Sequence, residues 1–165
     1  MQTGSTPSDP SEGVFVVSTD DPRSADVVAL LEQHLTLMRS LSPPEEVHAL
    51  DLEGLCRPSV TFLSVRRGGE LLAVGALQDL GEGHGELKSM HTRGDLRRTG
   101  LARLLVRSLV DRARTDGMTR VSLETGTQPE FAAARALYAS EGFAETGPFG
   151  SYAPSAWSTF MTRVL

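Results

Sequence analysis

The segment Arg97-Arg98-Thr99-Gly100-Leu101-Ala102-Arg103 has the make-up of an anion-binding turn. It stands where a strand-like stretch gives way to an amphipathic one. A helix start leaves four backbone N–H groups without intrahelical partners, and the helix dipole adds positive potential there. Gly100 lets an anion approach the backbone, small Ala102 does not obstruct it, and the arginines add charge. A pyrophosphate would fit such a turn. Taken alone, the segment is read more simply as an ordinary helix start with solvated arginines. Three other residues could move protons: Glu86 and Glu124 in apolar strand-like stretches, and Tyr138 in a helical one. Each has a structural alternative. Glu86 can pair with Lys88 on a solvated strand face. Glu124 can close a strand before Thr125-Gly126. Tyr138 can pack in a core with Phe131 and Ala134, which share its helical face.

Other chemistries find little support. His34, His48, His84 and His91 lack ligand spacing, and the lone Cys56 rules out an internal disulfide or a Cys-rich site, so no metal is expected. Cys56 has no readable catalytic partner and reads as a small buried hydrophobe. Ser122 lacks a nucleophile elbow, and no Gly-x-x-x-x-Gly-Lys-Ser/Thr motif supports a nucleotide-phosphate site. A net charge of −5 and a pI near 5.4 leave no basic excess for nucleic acid. The 165 residues, 39% hydrophobic and 22% charged, suit one domain. Met1–Gly13 reads as a disordered tail without the features of a signal peptide. No apolar run is long enough to span a bilayer, since even Leu101–Val110 is interrupted by Arg103, Arg107 and Ser108. Val14–Leu165 is therefore expected to be one cytoplasmic domain.

These residues need elements to position them. Val14–Val17 reads as a strand, followed by a helix from Ser24 to about Arg39 with Val27, Leu30, Leu31, Leu35 and Met38 at helical spacing. Ser42 and Glu45 resemble a capping box for a second short helix. Val60–Val65 and Leu71–Leu77 read as a hairpin around Gly68-Gly69, and Gly85–Thr92 as a third strand. Helix Gly100–Arg114, strand Arg120–Glu124 and helix Pro129–Ser140 follow. Phe143–Glu145 and Trp157–Leu165 are the last strands. The order β-α-α-β-β-β-α-β-α-β-β implies a mixed sheet, not a doubly wound parallel one. Strand alternation places Glu86, Lys88, Met90 and Thr92 on one face of the third strand, and Leu87, Ser89 and His91 on the other.

The chain resembles the GNAT superfamily of acetyl-CoA-dependent N-acetyltransferases. Arg97, Gly100 and Ala102 meet the signature Arg/Gln-x-x-Gly-x-Gly/Ala. Ala134, Leu137, Tyr138, Gly142 and Phe143 meet Ala-x-x-Leu-Tyr-x-x-x-Gly-Phe, at a matching separation. Ser42 to Asp51, Gly85 to Met90 and Ser122 to Gly126 are similar to a subgroup of undefined substrate. The likeness runs from Val14 to Leu165 in element order and from Glu86 to Phe143 in motif detail.

The resemblance implies an α/β fold with a twisted mixed sheet of six to seven strands and about four helices. It implies acetyl-CoA as donor, with Met90, His91 and Thr92 pairing with the pantetheine arm. Arg97, Arg98, Thr99, Gly100, Leu101, Ala102 and Arg103 would then form the pyrophosphate loop. Tyr138 matches the tyrosine that protonates the departing thiolate. Many members carry Asn seven residues before it; here the position is Phe131, so no catalytic role is carried over. Glu86 falls where some members carry a glutamate base. An alkylamine must lose a proton before it attacks a thioester, and a carboxylate, directly or through water, can take it. Glu124 is the alternative base. His34, Met38, His48, Asp51, Glu86, Glu124 and Tyr152 are candidate liners of the acceptor site, and Phe149–Pro154 a loop that could cover it. The expected partner is the primary amine of a small molecule or of an amino-acid-like acceptor, with a homodimer as a possible assembly. A non-catalytic acyl-CoA-binding module on the same fold is the competing reading.

Overall fold

The computed structural model describes residues 13–48 and 51–165, so the expected tail lies, apart from Gly13, outside the described residues. The elements are β1 (Val16–Thr19), α1 (Ala25–Leu41), α2 (Leu52–Leu55), β2 (Val60–Arg67), β3 (Glu70–Asp79), β4 (His84–Thr92), α3 (Leu101–Thr115), β5 (Arg120–Gly126), α4 (Ala132–Ser140), β6 (Ala144–Thr146) and β7 (Ser158–Val164). Short 3-10 turns cover Pro44–Glu46, Gly94–Leu96 and Pro129–Phe131. The strands form one seven-stranded sheet in the order β1-β2-β3-β4-β5-β7-β6. Among the described residues only β4 and β5 run parallel, as a pair joined through crossover helix α3 must. The mixed α/β sheet and its helices match the fold expected from sequence. No helix among the described residues is long and apolar enough to cross a membrane.

Two apolar layers clamp the sheet. On one face, Val27, Leu30 and Leu31 of α1 and Leu55 of α2 pack on Phe62, Leu71, Val74 and Ala76. On the other, Leu101, Leu105, Val106, Leu109 and Val110 of α3 pack on Leu63, Val65, Leu77, Leu87, Val121 and Leu123, joined by Tyr138 and Phe143. Apolar residues three and four apart on α1 and α3 produce these contacts. The β2–β3 turn has only Gly68 and Gly69 between paired Arg67 and Glu70, both at positive φ, as a tight hairpin requires.

Two expectations are corrected. The Ser42/Glu45 capping box does not form. Ser42 is the C-cap of α1, its N–H donating to Met38 O, and Pro43 precedes a 3-10 turn with no side-chain cap. Pro44 disfavours the helical region for Pro43, which stays extended. The second helix starts at Leu52, where Asp51 Oδ1 accepts from Gly54 N at 2.8 Å.

The second correction concerns β4. Ala76 pairs with Lys88 but Val74 pairs with His91, so Gly75 alone spans Ser89 and Met90. Ser89 has φ +55. This bulge reverses the alternation. Glu86 and Lys88 lie on the α1 side, whereas Met90 packs with the α3-side core and Thr92 pairs with core residue Ala73. His91 crosses the other way and meets His34 of α1. A Cβ at Gly75 would come 2.5 Å from Met90 Sδ, so the glycine makes room for the bulged methionine.

Candidate active site

The sheet opens where β4 and β5 part. Their pairing runs from His84↔Arg120 to Leu87↔Leu123 and stops. Beyond it, β5 stays with β7 through Gly126↔Ser158, while Lys88–Thr92 keep a strand partner only on the β3 side. A cleft of about 140 Å³ occupies the split. His34, Met38, His48, Glu86, Met90, Glu124, Tyr138 and Tyr152, all singled out from sequence, line it. Asp51 does not; its side chain caps α2. The walls are tied together across the chain. Gln128 Nε2 donates to Leu41 O and Ser42 Oγ, and Ser155 Oγ donates to Glu46 Oε2 at 2.8 Å.

Glu86 is buried, with 4% of its surface exposed, and its Oε1 accepts twice. The Tyr152 hydroxyl donates to it at 2.5 Å and Lys88 Nζ at 3.1 Å, while Lys88 Nζ also donates to the Tyr152 hydroxyl oxygen at 3.0 Å. The Lys88 ammonium lies 5.5 Å from the centre of the Tyr152 ring. Burial and the Glu86 carboxylate push the Tyr152 phenol well above its ordinary range. Tyr152 reaches this position from the β6–β7 loop, held edge-on to His48 at 5.1 Å and Phe149 at 5.1 Å, and against Phe160 at 5.4 Å.

Glu124 faces the same space from β5. Burial raises its pKa, while a hydrogen bond from Ser158 and the neighbouring His48 and Lys88 pull it back. Tyr138 approaches from α4. Its phenol is pushed up to about 12 by burial and by the charge of Glu124. Phe131 lines the cleft beside Gly126, where a Cβ would come 2.2 Å from its ring. His34 and His91 meet Nδ1 to Nδ1 at 3.3 Å. Burial lowers both to about 4, so at neutral pH one ring donates and the other accepts. Ser122 is buried and bonded to His84 Nε2 at 2.6 Å and to Thr162 Oγ1 at 2.9 Å, which makes it part of a packed polar chain.

The 97–103 segment forms the turn into α3. Gly100 is the N-cap residue in left-handed conformation, φ +84, and a Cβ there would meet no atom within 4 Å. Arg98 also has positive φ, +65. Arg97, Arg98 and Thr99 are exposed, Ala102 is partly exposed, and the Leu101 side chain is buried in the core. Arg103 is not a free cation: its guanidinium donates to the Glu141 carboxylate and to Ser140 Oγ, and Arg107 Nε reaches Glu141 at 3.0 Å. These ties hold the start of α3 to the end of α4.

Residues 27–143 match the family model for the acetyltransferase (GNAT) family. The chain belongs to the GNAT family of acetyltransferases. It is 42% identical over 149 residues to the uncharacterized N-acetyltransferase YsnE of Bacillus subtilis, covering 90% of this chain and 99% of the relative. It is 37% identical over 151 residues to the IAA acetyltransferase of Azospirillum brasilense, covering 90% and 97%. A crystal structure of an acyl-CoA N-acyltransferase from Klebsiella pneumoniae superposes with a TM-score of 0.76 at 27% identity, over 92% of this GNAT chain and 97% of that one.

Sequence reasoning passed over Lys88 and Trp157 as parts of the cleft. Only Lys88 left a signal, its i+2 spacing from Glu86 in a strand, which reads equally as a solvated pair.

Proposed function

We propose that the chain transfers an acetyl group from acetyl-CoA to the primary amine of a small acceptor by direct attack in a ternary complex. The observation that carries this reading is the cleft at the β4/β5 split, with a phenol on one wall and carboxyl groups on another. The residues suit the cofactor. Met90, His91 and Thr92 lie on the strand edge that β5 leaves open, which an extended pantetheine arm can join as a further strand. Backbone N–H groups from Arg97 to Arg103 suit the pyrophosphate, and Gly100 leaves its approach clear. Acetyl-CoA, when bound, supplies an acetyl group activated as a thioester and a thiolate as leaving group.

The protein's part is proton management. Glu86 Oε1 already accepts from Lys88 and Tyr152, so Glu86 serves to hold those two side chains. Glu124, raised by burial and facing Tyr138 and His48, is the better base for the incoming ammonium. This moves the role expected of Glu86 to the next strand. Tyr138, at about 12, keeps its proton at neutral pH. A thiolate is the weaker base, with a thiol pKa of about 8.5 or above. Tyr138 therefore stabilises the developing charge mainly by donating a hydrogen bond.

The test is a pH series of kcat/KM for wild type, Glu124→Gln and Glu86→Gln, after a pooled amine panel has been screened by thiol release. Glu124→Gln should lose about two orders of magnitude or more, with the loss shrinking as pH rises and the acceptor deprotonates unaided. Glu86→Gln should mainly raise the acceptor KM. An acidic limb altered only by Glu86→Gln returns the base to β4. Tight acetyl-CoA binding without thiol release for any amine favours the acyl-CoA-binding module.

A further inference from the structure

We infer that the acceptor is a cationic amine carrying no carboxylate, on an apolar body; this deepens the acetyl-transfer reading and rests on it. The charged groups around the cleft are unequal. Glu46, Glu86 and Glu124 bring three carboxyl groups against one lysine, Lys88, and the imidazole of His48, whose Nε2 lies 3.7 Å from Glu46 Oε2; among the described residues no arginine lines the cleft. His34, held neutral by burial, supplies no charge at pH 7.

A carboxylate on the acceptor would need a cation with a free donor direction. Lys88 is poorly placed to serve. It bonds Glu86 Oε1 at 3.1 Å and the Tyr152 hydroxyl oxygen at 3.0 Å, and only 9% of its side-chain surface is exposed. Drawing it to a ligand would leave the Glu86 carboxylate buried with one donor fewer, which costs more than the new pair returns. Nearby Arg135 is also committed, with Nη1 donating to Gly126 O at 2.6 Å and Gln128 O at 3.0 Å. An ammonium group meets the opposite conditions, because the three acid side chains outnumber Lys88 and His48 together. Like-charge contact in a partly desolvated site selects strongly between such ligands. The remaining walls are apolar, formed by Met38, Val47, Phe131 and Trp157, and suit a hydrocarbon or aromatic body.

The experiment compares matched ligands that differ in the carboxylate: 2-phenylethylamine, L-phenylalanine and L-phenylalanine methyl ester, then cadaverine and L-lysine. Two readouts are taken on the full chain. One is kcat/KM from thiol release with acetyl-CoA. The other is calorimetric affinity of each ligand for the protein saturated with CoA, which needs no chemistry. The amines and the ester should exceed the corresponding free acids at least tenfold in either readout. Free acids that equal or exceed them overturn the inference and make Lys88 a carboxylate anchor. Failure of every amine to bind the CoA-saturated protein overturns it as well. Amines that bind selectively without being acetylated leave the inference standing and refute the catalytic reading instead.

Discussion

Gly75→Ala tests whether the bulge in β4 builds the cleft. The added Cβ would stand 2.5 Å from Met90 Sδ, 3.0 Å from Leu105 Cδ2 and 3.2 Å from Leu109 Cδ1. Met90 is the flexible member and must move; the two leucines belong to a core layer and yield less. Overpacking of this kind costs about 1–3 kcal/mol, which for a chain of this size lowers Tm by about 2–12 °C. Met90→Ala removes the nearest obstacle at a cavity cost of its own. In the double variant the new methyl occupies space that the sulfur left. Its loss should therefore fall short of the sum of the two single losses by about 1 kcal/mol or more. Urea unfolding of the four proteins, with m-values compared, gives the coupling. Losses that add to within about 0.5 kcal/mol would show that Gly75 and Met90 do not share this space, and would refute the account of the bulge.

Tyr138→Phe keeps the ring packing but removes the donor, so turnover should fall by about one to three orders of magnitude with acetyl-CoA affinity unchanged; equal turnover, with chemistry rate-limiting, returns Tyr138 to a packing role. Gly100→Val should abolish tight acetyl-CoA binding by calorimetry. No neighbour meets its Cβ, so the fold should lose only the cost of positive φ, about 1–2 kcal/mol at least for a branched residue; unchanged affinity would remove the phosphate turn from the site. His34 and His91, both depressed to about 4 by burial, bind fewer protons folded than unfolded. Stability should therefore fall as pH drops from about 6.5 toward 4, and His34→Asn should make the fall in urea midpoint shallower; an unchanged slope would show that the buried pair does not govern it.

Local pattern carried the element order, the long helices and the turn into α3, because each is set by spacing within one segment. The bulge was not legible, because it depends on Gly75, a residue of the neighbouring strand that lies fourteen positions before Ser89. Unbroken alternation kept Glu86, Lys88, Met90 and Thr92 together. The same strand in fact gives Glu86 and Lys88 to the α1 side and Met90 to the α3 side. A strand that changes face at the split can serve the proposed transfer twice: its first half lines the cleft, and its second leaves backbone open on the side that β5 has left. The ion pair of Glu86 with Lys88 was legible only as a solvated couple, since the group that closes it, Tyr152, lies 64 residues beyond Lys88 in an irregular loop. That loop decides the chemistry of both. With Tyr152 and Lys88 both donating to its Oε1, Glu86 is a buried carboxylate already bonded to two neighbours, and the base proposed above is Glu124 on the strand beside it. A carboxylate at a family position is thus not enough to propose a base; the donors around its oxygens have to be read as well.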